Sequence, residues 1–265
     1  MGEKGVYAIK LHPNGEEKYK ARFVAKGYSQ APDIHYHETF SPTARITSVR
    51  MLMQLAIQKG MVVHQMDVKT AYLNAPMDCE LYIEQPDGYE RKGSNGEKLV
   101  CKLKKSLYGL KQSGRNWNCL LHGYLTQEGF VQSLADPCVY VKSTEFGQVI
   151  AIVWVDDIII AGSNTDVLKK AKGSLMMRFK MKDLGVLSWI LGIQFKCENV
   201  CIEMSQSKFV EKIMERFNMS DCRPKAVPRE FGGNKASTVN YSEFENVNLY
   251  REIVGSYLSY DLHKT

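Results

Sequence analysis

Val155-Asp156-Asp157-Ile158 constrains the fold more than any other segment. An apolar run, Val149–Trp154, enters it and a second, Ile158–Ala161, leaves it. Two short apolar runs around a polar break read as buried strands joined by a tight turn. Aspartate is an ordinary turn residue, so a plain β-turn explains the pair on its own. Yet two carboxylates between buried strands are costly to desolvate unless a cation offsets them. A third carboxylate, Asp67, follows another apolar run, Met61–Met66. If these strand ends lie side by side, three carboxylates meet at one sheet edge. Their repulsion raises a pKa or recruits metal.

The rest of the chain reads as a mixture of strands and helices, an α+β protein. Val6–Leu11 and Lys18–Ala25 form a hairpin about Pro13-Asn14-Gly15, and its second arm alternates basic and apolar residues. Thr47–Lys59 is a helix stopped by Gly60, and Gly114–Glu128 is a helix with Trp117, Leu120, Leu121, Tyr124 and Leu125 on one stripe. Val139–Lys142 is a strand. Thr165–Phe179 is a helix capped by Ser163 or Asn164. Val186–Lys196 and Val200–Met204 pair as a hairpin, and Gln206–Phe217 and Leu249–Leu262 are helices. The segment from Ser220 to Asn246 reads as loop.

Composition narrows the class. Hydrophobic residues at 44% and charged residues at 24% exclude a disordered or collagenous chain. The net charge of +6 fits a nucleic-acid partner without requiring one. The seven cysteines contain no Cys-x-x-Cys pair, so they read as reduced, mostly buried thiols rather than zinc ligands. His35-Tyr36-His37-Glu38 reads as a polar loop. No apolar run is long enough to span a bilayer, which takes about 20 residues.

With those residues in view, the chain resembles the reverse transcriptase domain of copia-type long-terminal-repeat retrotransposons. The resemblance rests on Tyr19–Gln30, Glu38–Pro42, Gln65–Asn74, Leu107–Ser113, Asp136–Tyr140, Val155–Asp157, Met181–Gly185 and Ile190–Ile193, in the family's order. It implies a right-hand polymerase: fingers at 1–60 and 76–112, palm at 61–75 and 113–203, partial thumb or connection at 204–265. The palm is expected to be an antiparallel sheet packed on helices.

The resemblance also implies roles. Asp67, Asp156 and Asp157 are the catalytic carboxylates. With the Val68 carbonyl they hold two Mg²⁺ ions, or Mn²⁺, roughly 3.5–4 Å apart. Hard ions prefer such oxygen ligands. Lys20 and Arg22 bind the triphosphate, with Lys10 as a rival. Tyr72 excludes a 2′-hydroxyl, and Tyr108 and Gly109 pack against the nascent base pair. Trp154, Val155, Trp189, Leu191 and Gly192 contact primer and template, and Lys208, Lys212 and Arg216 face duplex phosphates.

Two departures stand out: Trp154 replaces the usual Tyr before Val155, and Gly114 stands where many members have Pro. The implied partners are an RNA template, a DNA primer and dNTPs, with integrase and RNase H in cis in a Pol polyprotein. No membrane is implied. The implied location is cytoplasmic, in virus-like particles. The implied activity is RNA-directed DNA polymerisation. A non-catalytic nucleic-acid-binding relic and a metal-dependent nuclease are the competing readings.

Overall fold

The computed structural model describes residues 1–11, 16–198, 201–223 and 246–261. The turn expected at Pro13-Asn14-Gly15 and most of the expected loop from Ser220 to Asn246 lie outside them, as does the side chain of Lys10. The described chain divides into two compact units, one built mainly from Met1–Leu187, the other from Ser188–Glu198 with the described residues from Ile202 onward.

In the first unit, β1 (Glu3–Leu11) and β2 (Glu17–Ala25) form an antiparallel ribbon. α1 (Ile46–Lys59) ends at Gly60, whose left-handed φ of 60° lets its N–H reach the Ala56 and Ile57 carbonyls. β3 (Val62–Val68) follows, then the short pair β4 (Tyr82–Ile83) and β5 (Cys101–Lys102). α2 (Ser113–Gln127), β6 (Val131–Gln132), β7 (Val139–Thr144), β8 (Gly147–Trp154), β9 (Asp157–Gly162), α3 (Thr165–Arg178) and β10 (Met181–Val186) complete it. Asn164 caps α3 by accepting from the Asp166 and Val167 N–H groups.

Six strands make one antiparallel sheet in the order β10-β3-β9-β8-β7-β6. Strand alternation sorts its faces. Met66, Val68, Ile158, Ile160, Ala151 and Val153 pack with Trp117, Leu121 and Leu125 of α2 and Val167, Leu168 and Leu175 of α3 in one core. Gln65, Asp67, Asp157 and Trp154 alternate onto the other face. On the face covered by α2 and α3, buried Lys172 of α3 ties β3 to β10: its Nζ lies 2.5 Å from Asp183 Oδ2 and 2.8 Å from His64 Nδ1.

β10 corrects the sequence reading, which placed no strand over Met181–Gly185. Leu184 is a bulge between Asp183 and Gly185, and the strand is an exposed edge, so its period-2 pattern is broken. Asp67 also lies inside β3 rather than after it. The cysteines are less buried than expected: only Cys138 is buried, and Cys119, Cys201 and Cys222 are exposed.

The N-terminus of α1 has no side-chain cap from its own N-cap residue, Arg45. Asp136, only 3% exposed, supplies one from a distant loop: its Oδ2 accepts from Arg45 N at 3.0 Å and Ser48 Oγ at 2.6 Å, and its Oδ1 from Cys138 N at 2.9 Å. Burial pushes this carboxyl up, but the hydrogen bonds from Ser48, Arg45 and Cys138 outweigh it and leave the pKa below the ordinary value. Asp136→Ala is expected to cost about 2–3 kcal/mol in chemical denaturation. A carboxyl whose pKa is depressed by folding stabilises above its unfolded pKa and loses that contribution as pH falls through the folded value. The gap between parent and variant should therefore be full at neutral pH and close below about pH 4.

The second unit contains the three-stranded sheet β11 (Trp189–Ile190), β12 (Ile193–Glu198) and β13 (Cys201–Ser205), then α4 (Ser207–Arg216) and α5 (Val247–Asp261). β11 and β12 are joined by a two-residue turn with both central residues left-handed, Leu191 at φ 54° and Gly192 at φ 78°.

Candidate active site

Asp67 and Asp157 are register partners on β3 and β9. Partners across an antiparallel pair share a face. Asp156 stands beside them in the two-residue turn Val155-Asp156, and its carbonyl accepts from Val68 N at 2.8 Å. The strand ends thus lie side by side. The carboxylates nevertheless separate into two settings. Asp67 and Asp156 line a cleft of about 690 Å³ together with Val68. Asp157 is tied back by Gln65, whose Nε2 lies 3.3 Å from its Oδ1.

Burial and the negative charge of Asp156 push the Asp67 carboxyl up, against the pull of Lys182, Lys20 and Lys69. Burial also raises Asp157; the Gln65 hydrogen bond opposes it, and Asp156 and Asp67 add to it. A divalent cation would relieve this strain on the charged forms. Among the described residues, no group of three or more His, Cys, Asp or Glu side chains is placed to hold a metal ion. That is compatible with Mg²⁺, which is commonly held by one or two carboxylates plus substrate phosphates and water rather than by an all-protein cage. The donor set, hard oxygens with a charge deficit, fits the ion.

The same cleft is lined by cations. Lys18, Lys20 and Arg22 of β2 reach it from one side, and Lys69 and Lys182 flank the carboxylates. Lys182 is the register partner of Asp67. Lys18, Lys69 and Lys182 carried no role in the sequence reading. Their signal was available: the alternation of basic residues on β2, and the Met181–Gly185 stretch.

Tyr108 closes part of the cleft, with the Arg22 guanidinium 5.6 Å from its ring centroid. The Tyr72 ring lies 4.9 Å from the Tyr108 ring at 46°. Burial and the charge of Asp156 push both phenols up, and Arg22 partly opposes this at Tyr108.

Thr70 at φ 53° and Val155 at φ 55° are left-handed non-glycine residues flanking Asp67 and Asp156. Such strain persists only where the surroundings impose it, and it clusters at functional sites.

Gly109 approaches the chain's own backbone. With φ 94°, its place for a Cβ lies 2.1 Å from the Ala25 carbonyl oxygen; the corresponding position on Gly27 lies 1.9 Å from the Gly109 oxygen. Buried Gln30 and Gln112 join the same two segments, with Gln30 Nε2 donating to Gln112 Oε1 at 3.0 Å. Two stretches quoted for the resemblance thus brace each other. His35–Glu38 is a loop, as read: Lys111 sits over the Tyr36 ring at 4.9 Å and Arg115 pairs with Glu38 at 2.5 Å.

Trp154 pairs with Asp157 beside the turn. Trp189, Leu191 and Gly192 belong to the second unit. There Lys208 lies 5.5 Å over the Trp189 ring and Arg216 pairs with Glu252 at 3.4 Å. Among the described residues, no helix is long and apolar enough to cross a membrane.

The family model described as reverse transcriptase (RNA-dependent DNA polymerase) matches residues 1–231. The chain is 40% identical over 228 residues to the retrovirus-related Pol polyprotein from transposon TNT 1-94 of Nicotiana tabacum, covering 84% of this chain and 17% of that protein. It is 35% identical over 257 residues to the corresponding polyprotein from transposon RE1 of Arabidopsis thaliana, covering 97% and 17%. It is 33% identical over 221 residues to the transposon Ty1-GR1 Gag-Pol polyprotein of Saccharomyces cerevisiae, covering 83% and 12%. The chain therefore spans less than a fifth of the length of these relatives. A solved structure of apo telomerase from Candida tropicalis is similar at a TM-score of 0.36 and 11% identity, covering 77% of this chain and 57% of that one.

Proposed function

The chain belongs to the reverse transcriptase (RNA-dependent DNA polymerase) family, and from that premise we propose that it extends the 3′-hydroxyl of a DNA primer on an RNA or DNA template with dNTPs. One observation carries the reading: Asp67 and Asp156 line a single cleft with Lys18, Lys20 and Arg22. Carboxylates and cations facing one cavity suit a substrate that brings both a polyphosphate and divalent metal.

In this reading residues 1–60, with β1, β2 and α1, and residues 76–112 serve as fingers. The six-stranded sheet with α2 and α3 is the palm, and 204–265 is thumb or connection. Asp67, Asp156 and Asp157, with the Val68 carbonyl, are the groups that would hold Mg²⁺ or Mn²⁺. Bound there, such an ion acidifies an attacking hydroxyl and neutralises charge on the transferred phosphoryl group.

Arg22 engages the triphosphate as a bidentate fork and Lys20 as a point charge. Lys18, Lys69 and Lys182 add positive charge, so nucleotide affinity falls with salt. Tyr72, backed by Tyr108, fills the space a ribose 2′-oxygen would need. Trp154 and Val155 meet the primer terminus, and Trp189, Leu191 and Gly192 grip the primer. The polyprotein setting supplies RNase H and integrase in cis, and assembly in cytoplasmic particles follows the same family analogy.

The test is a labelled DNA primer on poly(rA) with dTTP and Mg²⁺. Metal-dependent lengthening is the expected result. Shortening would indicate a nuclease, and duplex binding without incorporation a non-catalytic relic; either would overturn the reading.

A further inference from the structure

Trp117 is the largest side chain of α2 and only 1% exposed. Its ring packs edge-on against Phe179 at 5.2 Å, as a core tryptophan should. Its polar atom does something the core does not require. The indole Nε1–H donates to the carbonyl oxygen of Val155 at 2.6 Å. Val155 is the first residue of the Asp156-bearing turn, and at φ 55° it is a β-branched residue in the left-handed region.

The turn has two peptide carbonyls, and both are held. Trp117 holds Val155 O from α2, and Val68 N–H holds Asp156 O from β3. The second hold comes from the residue next to Asp67. A left-handed valine does not keep its geometry unaided, since a β-branched side chain disfavours it. Without the indole N–H, a part-buried carbonyl loses its donor and the turn can relax toward an ordinary φ.

We propose that Trp117 is a positioning residue for nucleotide addition: it locks the strained Val155 peptide and so fixes the Asp156 carboxylate relative to Asp67. The proposal rests on the polymerase reading for its consequence, but not for its geometry.

The test compares Trp117→Phe with Leu121→Ala, a buried neighbour in the same core one turn along α2. Phenylalanine keeps a ring in the core and removes the donor together with part of the indole volume, and Leu121→Ala controls for the lost volume. Amide hydrogen exchange is measured at Val68 and across Val155–Ile158 under native conditions, together with the single-nucleotide addition rate. In Trp117→Phe these amides are expected to exchange about tenfold faster or more, relative to the β8 amides. The addition rate per folded molecule falls by a similar factor, with primer-template affinity unchanged. Leu121→Ala lowers global stability without singling out the turn.

In a Val155→Gly background the left-handed φ carries no strain, so the Trp117→Phe effect on exchange should shrink severalfold. Unchanged exchange at Val68 and the turn in Trp117→Phe, or an equal effect in both backgrounds, would overturn the proposal. Selective loosening in a parent that adds no nucleotide would uphold the hold on the turn and overturn the polymerase reading instead.

Discussion

Asp67→Asn is expected to cut primer extension by on the order of 10²–10³-fold or more, the scale set by losing a single charge-stabilising group at a reacting centre. It should do so without harming the fold. Asp67 sits across from Asp157 and lines the cleft with Asp156. Its carboxyl is pushed up by burial and by Asp156. A carboxyl whose pKa is raised by folding holds its proton more tightly when folded, so its charge opposes folding at neutral pH. The isosteric amide removes that charge. Thermal unfolding of the variant should therefore come at the same temperature as the parent or higher. Activity lost while stability is kept or gained is the signature of a functional carboxylate. A structural one would show both falling together.

Gly109→Ala is expected to do the reverse, destabilising the protein by about 3–5 kcal/mol through strain and a clash. The added methyl would meet the Ala25 carbonyl oxygen at 2.1 Å, and that neighbour is backbone, which cannot swing aside. The glycine also sits at φ 94°. Gly27→Ala should behave alike, because its Cβ would meet the Gly109 oxygen at 1.9 Å. Gly123→Ala is the control. It lies on an exposed face of α2 with nothing within 4 Å, and should stabilise by roughly 0.5–1 kcal/mol. Urea denaturation of the three variants separates the cases. A Gly109→Ala protein as stable as the parent would show that the crossing of the two segments is not tight.

These predictions mark what was legible in the residues. The β8–β9 hairpin was, because two apolar runs around Asp156-Asp157 leave few alternatives. So were α1, α2 and α3, since the Gly60 stop of α1, the apolar stripe of α2 and the Asn164 N-cap of α3 are local signals. What local signals cannot carry is partnership. Asp136 reads as a turn residue before Pro137, yet it caps α1 across 91 positions to Arg45. Gly27 and Gln30 carry no mark of Gly109 and Gln112, although the two pairs lock one another. β10 was missed because its bulge and exposed edge erase the alternation by which a strand is read.

The site divides the same way. Its carboxylates and the β2 cations were readable from residue type and spacing. The tie from Gln65 to Asp157, the register of Lys182 with Asp67, and the indole of Trp117 on Val155 depend on pairing across the sheet and core. The separation of Asp157 from the cleft lined by Asp67 and Asp156 is likewise a tertiary fact.

The most direct test of the central claim is the rate of adding one dTMP to a labelled DNA primer on poly(rA), measured for the parent and Asp156→Asn in parallel across a Mg²⁺ titration. The account predicts metal-dependent addition by the parent and a rate lower by at least about 10²-fold for the variant at every Mg²⁺ concentration. Equal rates for the two proteins would contradict it.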